Sequence, residues 1–215
     1  MFRFVFLAFV LWPPLAYSSE RAGVDRPEWK IGDSWVHRRI DLIKNADVAT
    51  FDRRVVSVSE QSYVLSESTS RSGEPEKPDA TARRQVDSST LTFEDPHHVS
   101  GQQVMFEFPL EHNKTWRYQR SRSRPPGGQE LTSRAKVIGW EKVTVPAGIF
   151  DALKVVHSTH YVPNDRMQFA SGSEELTLWY VPSIKWYVKR EWYHIHGGRL
   201  WDHNVDELIV SEAKQ

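Results

Sequence analysis

Apolar and polar residues alternate along most of this chain, and no other feature of the sequence constrains its fold as strongly. In the stretch EKVTV at 141–145, Val143 and Val145 alternate with polar neighbours, and the same period of two recurs on both sides. Successive side chains of a β-strand point to opposite faces, so this alternation predicts half-buried strands. Apolar residues almost nowhere recur at helical spacing. We therefore predict an all-β protein.

Turn signals separate the alternating segments. The sequence PPGG at 125–128 and the pair Gly197-Gly198 are typical of hairpin turns. A succession of hairpins predicts a single strongly curved antiparallel sheet that forms an open or partly closed barrel. The predicted strands cover residues 33–43, 48–59, 61–69, 82–93, 102–108, 114–124, 129–139, 141–145, 149–161, 174–182, 185–196 and 199–210.

The sequence VPAG at 145–148 interrupts one alternating stretch. A glycine-containing loop can hold a phosphate, but such loops lead into a helix. Residues 149–156, IFDALKVV, are instead rich in β-forming side chains. We therefore predict a type I turn with Pro146 at its second position, followed by Gly148 in the left-handed conformation of a three-residue hairpin loop with a bulge.

The first residues, MFRFVFLAFVLWPPLAYSSE, have the layout of a secretory signal peptide. Arg3 supplies the positive charge, residues 4–12 form an apolar core, and small residues precede a cleavage site after Ser18. We predict a signal peptide at 1–18 and a single antiparallel β domain at 19–215 with a surface loop near 70–82. The apolar core is shorter than the ~20 residues that span a bilayer, so no transmembrane segment is expected after cleavage.

Cysteine is absent from the sequence, which excludes disulfides, thiolate catalysis and cysteine metal ligands. It also excludes the acylated cysteine of a bacterial lipoprotein. Together with the signal peptide, this predicts a periplasmic or secreted protein. The chain has 28 basic and 28 acidic residues. This balance argues against a nucleic-acid partner, because nucleic-acid affinity depends on the neutralisation of phosphates.

Aromatic residues make up 12% of the chain and include nine tryptophans. On the strand predicted at 185–196, alternation places Trp186, Trp192, His194 and His196 on one face. Such rings either fill the inside of a curved sheet or line a cleft for a lipid or another apolar molecule. Trp179 and Tyr180 would lie at the mouth of such a cleft. The predicted ligand-binding residues are Trp35, Trp116, Trp179, Tyr180, Trp186 and Trp192.

Three histidines form the best candidate metal site. His194 and His196 are two apart on a predicted strand, and His203 lies on the next strand across the Gly197-Gly198 turn. Three nitrogen ligands and a water are the arrangement of a catalytic zinc. No H-E-x-x-H or G-x-S-x-G motif accompanies them. We therefore predict no catalytic residues, no metal and no cofactor, and rank zinc binding as an alternative.

Several short motifs occur in order along the chain: WKIGDSW at 29–35, FPLEHNKTWRY at 108–118, EKVTVPAGIFDALKV at 141–155, LWYVPSIKWYVKRE at 178–191 and DEL at 206–208. On these motifs the chain resembles a group of uncharacterised exported bacterial β-proteins with W-x-x-G-x-x-W, V-P-A-G-x-F and W-Y-x-P motifs. The resemblance implies an architecture similar to the curved sheets of lipoprotein carriers of the LolA and LolB type, and it supplies no catalytic residues. One departure is Lys185, which stands where the group has glycine.

These observations lead to three hypotheses, in order of preference. The first is a non-catalytic envelope protein that binds an apolar or amphipathic molecule in an aromatic-lined concave sheet. The second is a periplasmic assembly module that docks a protein partner through its sheet edge or through the basic hairpin at 117–124. The third is a metal-assisted hydrolase.

Overall fold

The computed structural model describes residues 23–73, 81–94, 98–124, 127–164 and 170–213, and most of these residues belong to one β-sheet. Within these ranges, the helical content is a single 3₁₀ turn at Pro182–Ile184. The strands are β1 (Ser34–Asp41), β2 (Ala46–Val58), β3 (Ser62–Arg71), β4 (Thr81–Asp87), β5 (His98–Gly101), β6 (Thr115–Arg124), β7 (Gly127–Val145), β8 (Gly148–Pro163), β9 (Gly172–Val181), β10 (Trp186–His196) and β11 (Arg199–Glu212).

The sheet has the strand order β4-β3-β2-β1-β11-β10-β9-β8-β7-β6-β5, and all of its pairings are antiparallel. The sheet curls so strongly that the amide of Ala147 in the β7–β8 turn reaches the carbonyl of Leu208 on β11 and donates to it at 3.0 Å. It does not close, since β4 and β5 remain as its edges. The prediction of a single curved antiparallel sheet that forms an open barrel is therefore confirmed.

Four of the predicted strands differ from the structure. The strand predicted at 82–93 ends at Asp87. The predicted strand at 102–108 is wrong: β5 ends before it, at Gly101, and Met105 and Phe106 pack into the concave face. These two residues are adjacent and both buried, so burial in this segment does not alternate as it does in a half-buried strand. The predicted strands 129–139 and 141–145 are one strand, β7, whose register shifts between Val137 and Gly139. Gly139 has a φ of 143°, which glycine adopts without strain.

The sequence VPAG forms the turn between β7 and β8. Val145 pairs with Gly148, so the loop has the two residues Pro146 and Ala147 and not the three that the sequence suggested. Gly148 has a φ of 137°, which confirms that a glycine is required there. The β10–β11 turn is also as predicted, because both Gly197 and Gly198 have positive φ, the condition for a type I′ hairpin.

The concave face of the sheet has two chemically different ends. The aromatic end is built around Trp29, Trp35, Tyr63 and Trp186, all of which are buried. Residues 104–110, which follow β5, cover part of the same face, where Phe106 and Leu110 are buried. The polar end lies further along the same strands. Its inward-facing side chains include Arg39, Tyr118, Arg120, His157, Tyr161, Glu174, Arg190, Trp192 and Asp206.

The predicted signal peptide at 1–18 lies outside the described residues, as do residues 74–80 of the predicted loop near 70–82. Both stay predictions, as does the extent of the domain at 19–215. Within the ranges that the structure describes, no helix is long and apolar enough to cross a bilayer.

Candidate functional site

The tryptophans of the aromatic end pack against one another. Trp29 lies 4.8 Å from Trp35, 4.8 Å from Tyr63 and 4.9 Å from Trp186, measured between ring centroids. Trp35 and Trp186 have no exposed surface. Buried aromatic pairs at these distances stabilise a core beyond their area alone. At this end of the sheet, therefore, the rings fill the interior.

Two indole N–H groups of this cluster bind the 3₁₀ turn that precedes β10. Nε1 of Trp35 donates to the carbonyl of Ile184 at 2.8 Å, and Nε1 of Trp29 donates to the carbonyl of Lys185 at 2.9 Å. A buried indole N–H requires such an acceptor. Gly32, with a φ of 93°, makes the turn that places both rings on the same side. Trp29 and Trp35 of the W-x-x-G-x-x-W sequence thus fasten the start of β1 and the segment before it to the turn that precedes β10.

Two other predicted ligand-binding residues are also buried. Trp116 donates from Nε1 to the carbonyl of Val104 at 2.9 Å, and its ring lies edge-on to His157. Tyr180 has no exposed surface and lies 5.2 Å from the ring of Phe106. Ligand contact at Trp35, Trp116, Tyr180 and Trp186 stays a prediction. It would require residues 104–110 or the neighbouring rings to move.

Trp179 lies on the opposite face of the sheet from Tyr180, because adjacent residues of a strand point in opposite directions. Lys154 and Lys189 lie over its ring, 5.2 and 5.0 Å from the centroid, and its Nε1 donates to Oε1 of Glu141. Alkyl stems and cation–π contacts therefore cover this indole on the convex side. The sequence analysis placed Trp179 and Tyr180 together at the mouth of a cleft, but their side chains lie on opposite faces of the sheet.

The sixth predicted residue, Trp192, lies in a pocket of about 140 Å³ at the polar end. This polar pocket is enclosed by β6, β8, β9 and β10, together with Gln103. Its chemistry is defined by the three arginines Arg120, Arg122 and Arg190, by Glu174, and by the apolar surfaces of Trp192 and Leu176. Of the six predicted residues, Trp192 lines this pocket and the other five do not.

Two of the three arginine side chains of the polar pocket, those of Arg120 and Arg190, are held in place by their neighbours. Nη1 of Arg120 donates to Oε1 of Gln103 at 2.7 Å, and its Nη2 lies 4.0 Å from Oε2 of Glu174. Only 5% of the Arg120 side chain is exposed. Nη1 of Arg190 donates to Oδ2 of Asp206 at 2.9 Å. The guanidinium groups of Arg120 and Arg190 are therefore positioned by the fold before any ligand binds.

The other polar groups of the pocket are neutral. Burial lowers the pKa of His157 to about 4, so its imidazole carries no charge at neutral pH. Nδ1 of His157 and the hydroxyl of Tyr118 share a hydrogen bond of 3.1 Å. Burial raises the pKa of the Tyr118 hydroxyl, which therefore keeps its proton. The charges of the lining thus come from the arginines and from Glu174.

A buried ionic network lies beside the pocket and connects it to β1. Oδ1 and Oδ2 of Asp206 accept hydrogen bonds from Arg39 at 2.6 and 2.9 Å, and Oδ2 also accepts from Arg190. Burial opposes ionisation of Asp206, but the hydrogen bonds from Arg39 and the charge of Arg190 hold its pKa well below its usual range. Arg190 therefore links the pocket to a carboxylate that stays ionised.

The three histidines of the candidate zinc site do not converge. Nε2 of His194 lies 2.9 Å, and Nδ1 of His196 2.7 Å, from the hydroxyl of Tyr161. His203 pairs in register with Tyr193, and its Nε2 lies 2.7 Å from Oε1 of Glu191 on the other face of the sheet. The three-histidine arrangement is therefore wrong, because a one-residue difference in register turns a side chain to the opposite face. Among the described residues, no group of three or more histidine or acidic side chains could hold a metal ion.

The sequence analysis did not identify Tyr118, Arg120 and Arg190 as site residues. The signal was present in RYQRSRSR at 117–124, where every second residue from Tyr118 faces inward. Arg117, which points the other way, is exposed, whereas Arg120 is buried. The sequence analysis treated this segment as one basic hairpin and so missed the alternation.

The fold defines a class of protein: one antiparallel sheet, curled but not closed, with a filled aromatic end and a polar pocket. No family model matches this chain, and no curated protein matches it. A candidate lipoprotein from Parabacteroides distasonis has a similar fold, with a TM-score of 0.55 and 11% identity over 89% of this chain and 100% of that one.

Two further solved structures are less similar. One is a candidate exported protein with a YmcC-like fold from Bacteroides fragilis, with a TM-score of 0.49 and 13% identity over 89% of this chain and 100% of that one. The other is the hypothetical lipoprotein YmcC from Escherichia coli, with a TM-score of 0.43 and 9% identity over 82% of this chain and 84% of that one. At such identities a structural likeness shows the fold alone.

Proposed function

We propose that this chain is an exported protein of the bacterial cell envelope that binds an amphipathic molecule at the polar end of its concave face. The observation that carries the proposal is the polar pocket, where the ring of Trp192 and the side chain of Leu176 adjoin Arg120 and Arg190. Apolar and charged surfaces side by side in a concavity suit a ligand that has both kinds of surface.

The aromatic end favours an amphipathic ligand over a purely apolar one. Its rings already contact one another, and residues 104–110 cover part of the same face. The polar pocket, at about 140 Å³, is smaller than the roughly 300–1,000 Å³ of a site that encloses a whole drug-sized ligand. We expect it to take one group of a ligand whose remainder lies along the surface.

The proposed location rests on the signal-peptide layout of residues 1–18 and on the resemblance to exported β-proteins. The similar fold of the Parabacteroides distasonis candidate lipoprotein is compatible with it. The proposal also includes the resemblance to exported proteins with W-x-x-G-x-x-W, V-P-A-G-x-F and W-Y-x-P motifs, and the architectural likeness to carriers of the LolA and LolB type.

The test is a fluorescence titration of the purified protein with lysolipids below their micelle concentration. Binding should change the emission of Trp192, which is half-buried in the pocket. Trp192→Phe should remove most of this change. Trp201→Phe is the matched control, because Trp201 is 62% exposed and lies outside the pocket. A response that is lost equally in both variants, or absent from the native protein, would contradict the proposal.

The second hypothesis, a module that docks a protein partner, is favoured by one observation: the sheet ends in two edge strands, and residues 81–85 of β4 are exposed. An exposed edge can accept a strand from a partner. The basic hairpin gives less support, since Arg117 and Arg120 face opposite sides. Cross-linking in the envelope should trap a specific protein if this function is correct, and Arg117→Glu should abolish the adduct if the hairpin takes part.

A further inference from the structure

We propose that the polar pocket binds an anionic group, a phosphate or a carboxylate, between Arg120 and Arg122 of β6 and Arg190 of β10. The inference rests on the proposed function, because it names the part of the amphipathic ligand that enters the pocket. The shared chemistry is an anion small enough for a pocket of about 140 Å³. Guanidinium groups suit such an anion because their planar N–H donors match its oxygen atoms.

The convergence of these arginines is produced by the curl of the sheet. β6 and β10 are separated by β7, β8 and β9. On a flat sheet, four strand spacings would place them about 19 Å apart. In the curled sheet, Arg120, Arg122 and Arg190 line one pocket. A concave arrangement of like charges focuses the electrostatic potential and attracts an ion of opposite sign.

The lining of the pocket is cationic although the whole chain is balanced. Three arginines and one carboxylate, that of Glu174, line it, while the full sequence has 28 basic and 28 acidic residues. Nη2 of Arg120 lies 4.0 Å from Oε2 of Glu174, which is longer than a direct charge-assisted hydrogen bond of about 2.7–2.9 Å.

Neutral groups complete the binding surface. The hydroxyl of Thr159 shares a hydrogen bond of 2.8 Å with Ser133, and the hydroxyl of Tyr118 shares one with His157. Both hydroxyls belong to residues that line the pocket and add no negative charge. Trp192 provides a flat apolar surface next to Arg190, where the first carbons of an attached chain would lie.

The experiment compares three probes by calorimetric titration of the purified protein: a short-chain lysophosphatidic acid, a monoacylglycerol with the same acyl chain, and inorganic phosphate. The lysophosphatidic acid should bind at least about tenfold more tightly than the monoacylglycerol, since it alone gains charge-assisted hydrogen bonds. Arg122→Gln should weaken its binding about tenfold. Arg117→Gln is the matched control, because Arg117 lies on the same strand with its side chain on the exposed face.

Glu174→Gln provides an independent variant that does not remove a buried arginine. Loss of the carboxylate from the lining should tighten lysophosphatidic acid binding several-fold. Equal affinity for the two lipids, unchanged in Arg122→Gln and Glu174→Gln, would overturn the anion site and leave the proposed function standing. Phosphate that binds as tightly as the lysolipid would support the anion site and contradict an amphipathic ligand. No binding of any probe would contradict both.

Discussion

Nε of Arg53 donates a hydrogen bond to Oε2 of Glu67 at 2.6 Å, and only 8% of each side chain is exposed. Nη1 of Arg53 also donates to the hydroxyl of Tyr187 at 3.3 Å. Removing one partner of a buried pair leaves the other charge uncompensated. We expect Glu67→Leu to lower the free energy of unfolding by about 3–5 kcal/mol, measured by urea denaturation.

Two variants test the explanation for this loss. Arg53→Met combined with Glu67→Leu should recover much of the stability, because the pair is then replaced by apolar side chains. Arg38→Met should cost no more than about 1 kcal/mol, since the Arg38–Glu207 pair is half-exposed at Arg38. A double variant as unstable as Glu67→Leu would contradict the role of the uncompensated charge.

The pH dependence of stability should follow two buried histidines. Burial, with the nearby charge of Arg53, lowers the pKa of His37 to about 3, and burial lowers the pKa of His157 to about 4. In the unfolded chain both titrate near 6.5. Between about pH 6.5 and pH 4, the unfolded state therefore binds protons that the folded state does not. Stability is complete above this window and falls as the pH decreases through it.

The expected loss is about 1.4 kcal/mol for each histidine and each pH unit, measured by urea denaturation from about pH 7 to about pH 5. His157→Phe should reduce the slope to about half. The depressed pKa of Asp206 acts in the same direction, but its effect begins only near pH 4, where an unfolded aspartate takes up its proton. An unfolding free energy that stays constant between about pH 7 and pH 5 would contradict the assignment.

Gly172 is expected to tolerate no side chain. A Cβ at this position would overlap both the hydroxyl of Tyr161 and the backbone carbonyl of Ile195. Gly172→Ala should therefore displace β9 from Tyr161 and lower the free energy of unfolding by about 1–3 kcal/mol. Ser171→Ala, one exposed residue away, should change stability by less than about 0.5 kcal/mol. Equal stability of the two variants would show that the strand adjusts freely.

Lys185 occupies a left-handed backbone position, which a glycine adopts without strain. Its φ is 61°, so a glycine there would relieve about 1 kcal/mol of strain. Its Nζ, however, lies 3.0 Å from Oδ2 of Asp33, which has no exposed surface. We expect the ion pair to outweigh the strain, so that Lys185→Gly is destabilising by about 2 kcal/mol in thermal or urea unfolding.

The double variant Lys185→Gly with Asp33→Asn distinguishes the two contributions. With the Asp33 carboxylate neutralised, removal of the Lys185 side chain no longer breaks an ion pair. The relief of backbone strain should remain, and most of the stability lost in Lys185→Gly should be recovered. If Lys185→Gly alone were more stable than the native protein, the contribution of the Asp33 pair would be smaller than the strain.

The sequence predicted the local structure because alternation and turn residues act over a few positions. β8 shows this directly: inward residues such as Val155, His157 and Thr159 are buried, and those between them are more exposed. Gly148, Gly197 and Gly198 occupy the positive φ values that their turns require. The segment around Phe106 misled the prediction, because a short apolar run that packs on a concave face has the same composition as a buried strand.

The sequence by itself determined the class of fold, since the period of two and the hairpin turns permit little besides an antiparallel sheet. Only the tertiary structure decided which side chains meet. Arg120 and Arg190 are far apart in sequence and four strands apart in the sheet, and His194 and His203 are close in sequence but lie on opposite faces. The curl of the sheet and the register of each strand set these positions, and both depend on packing across the concave face, which no local pattern records.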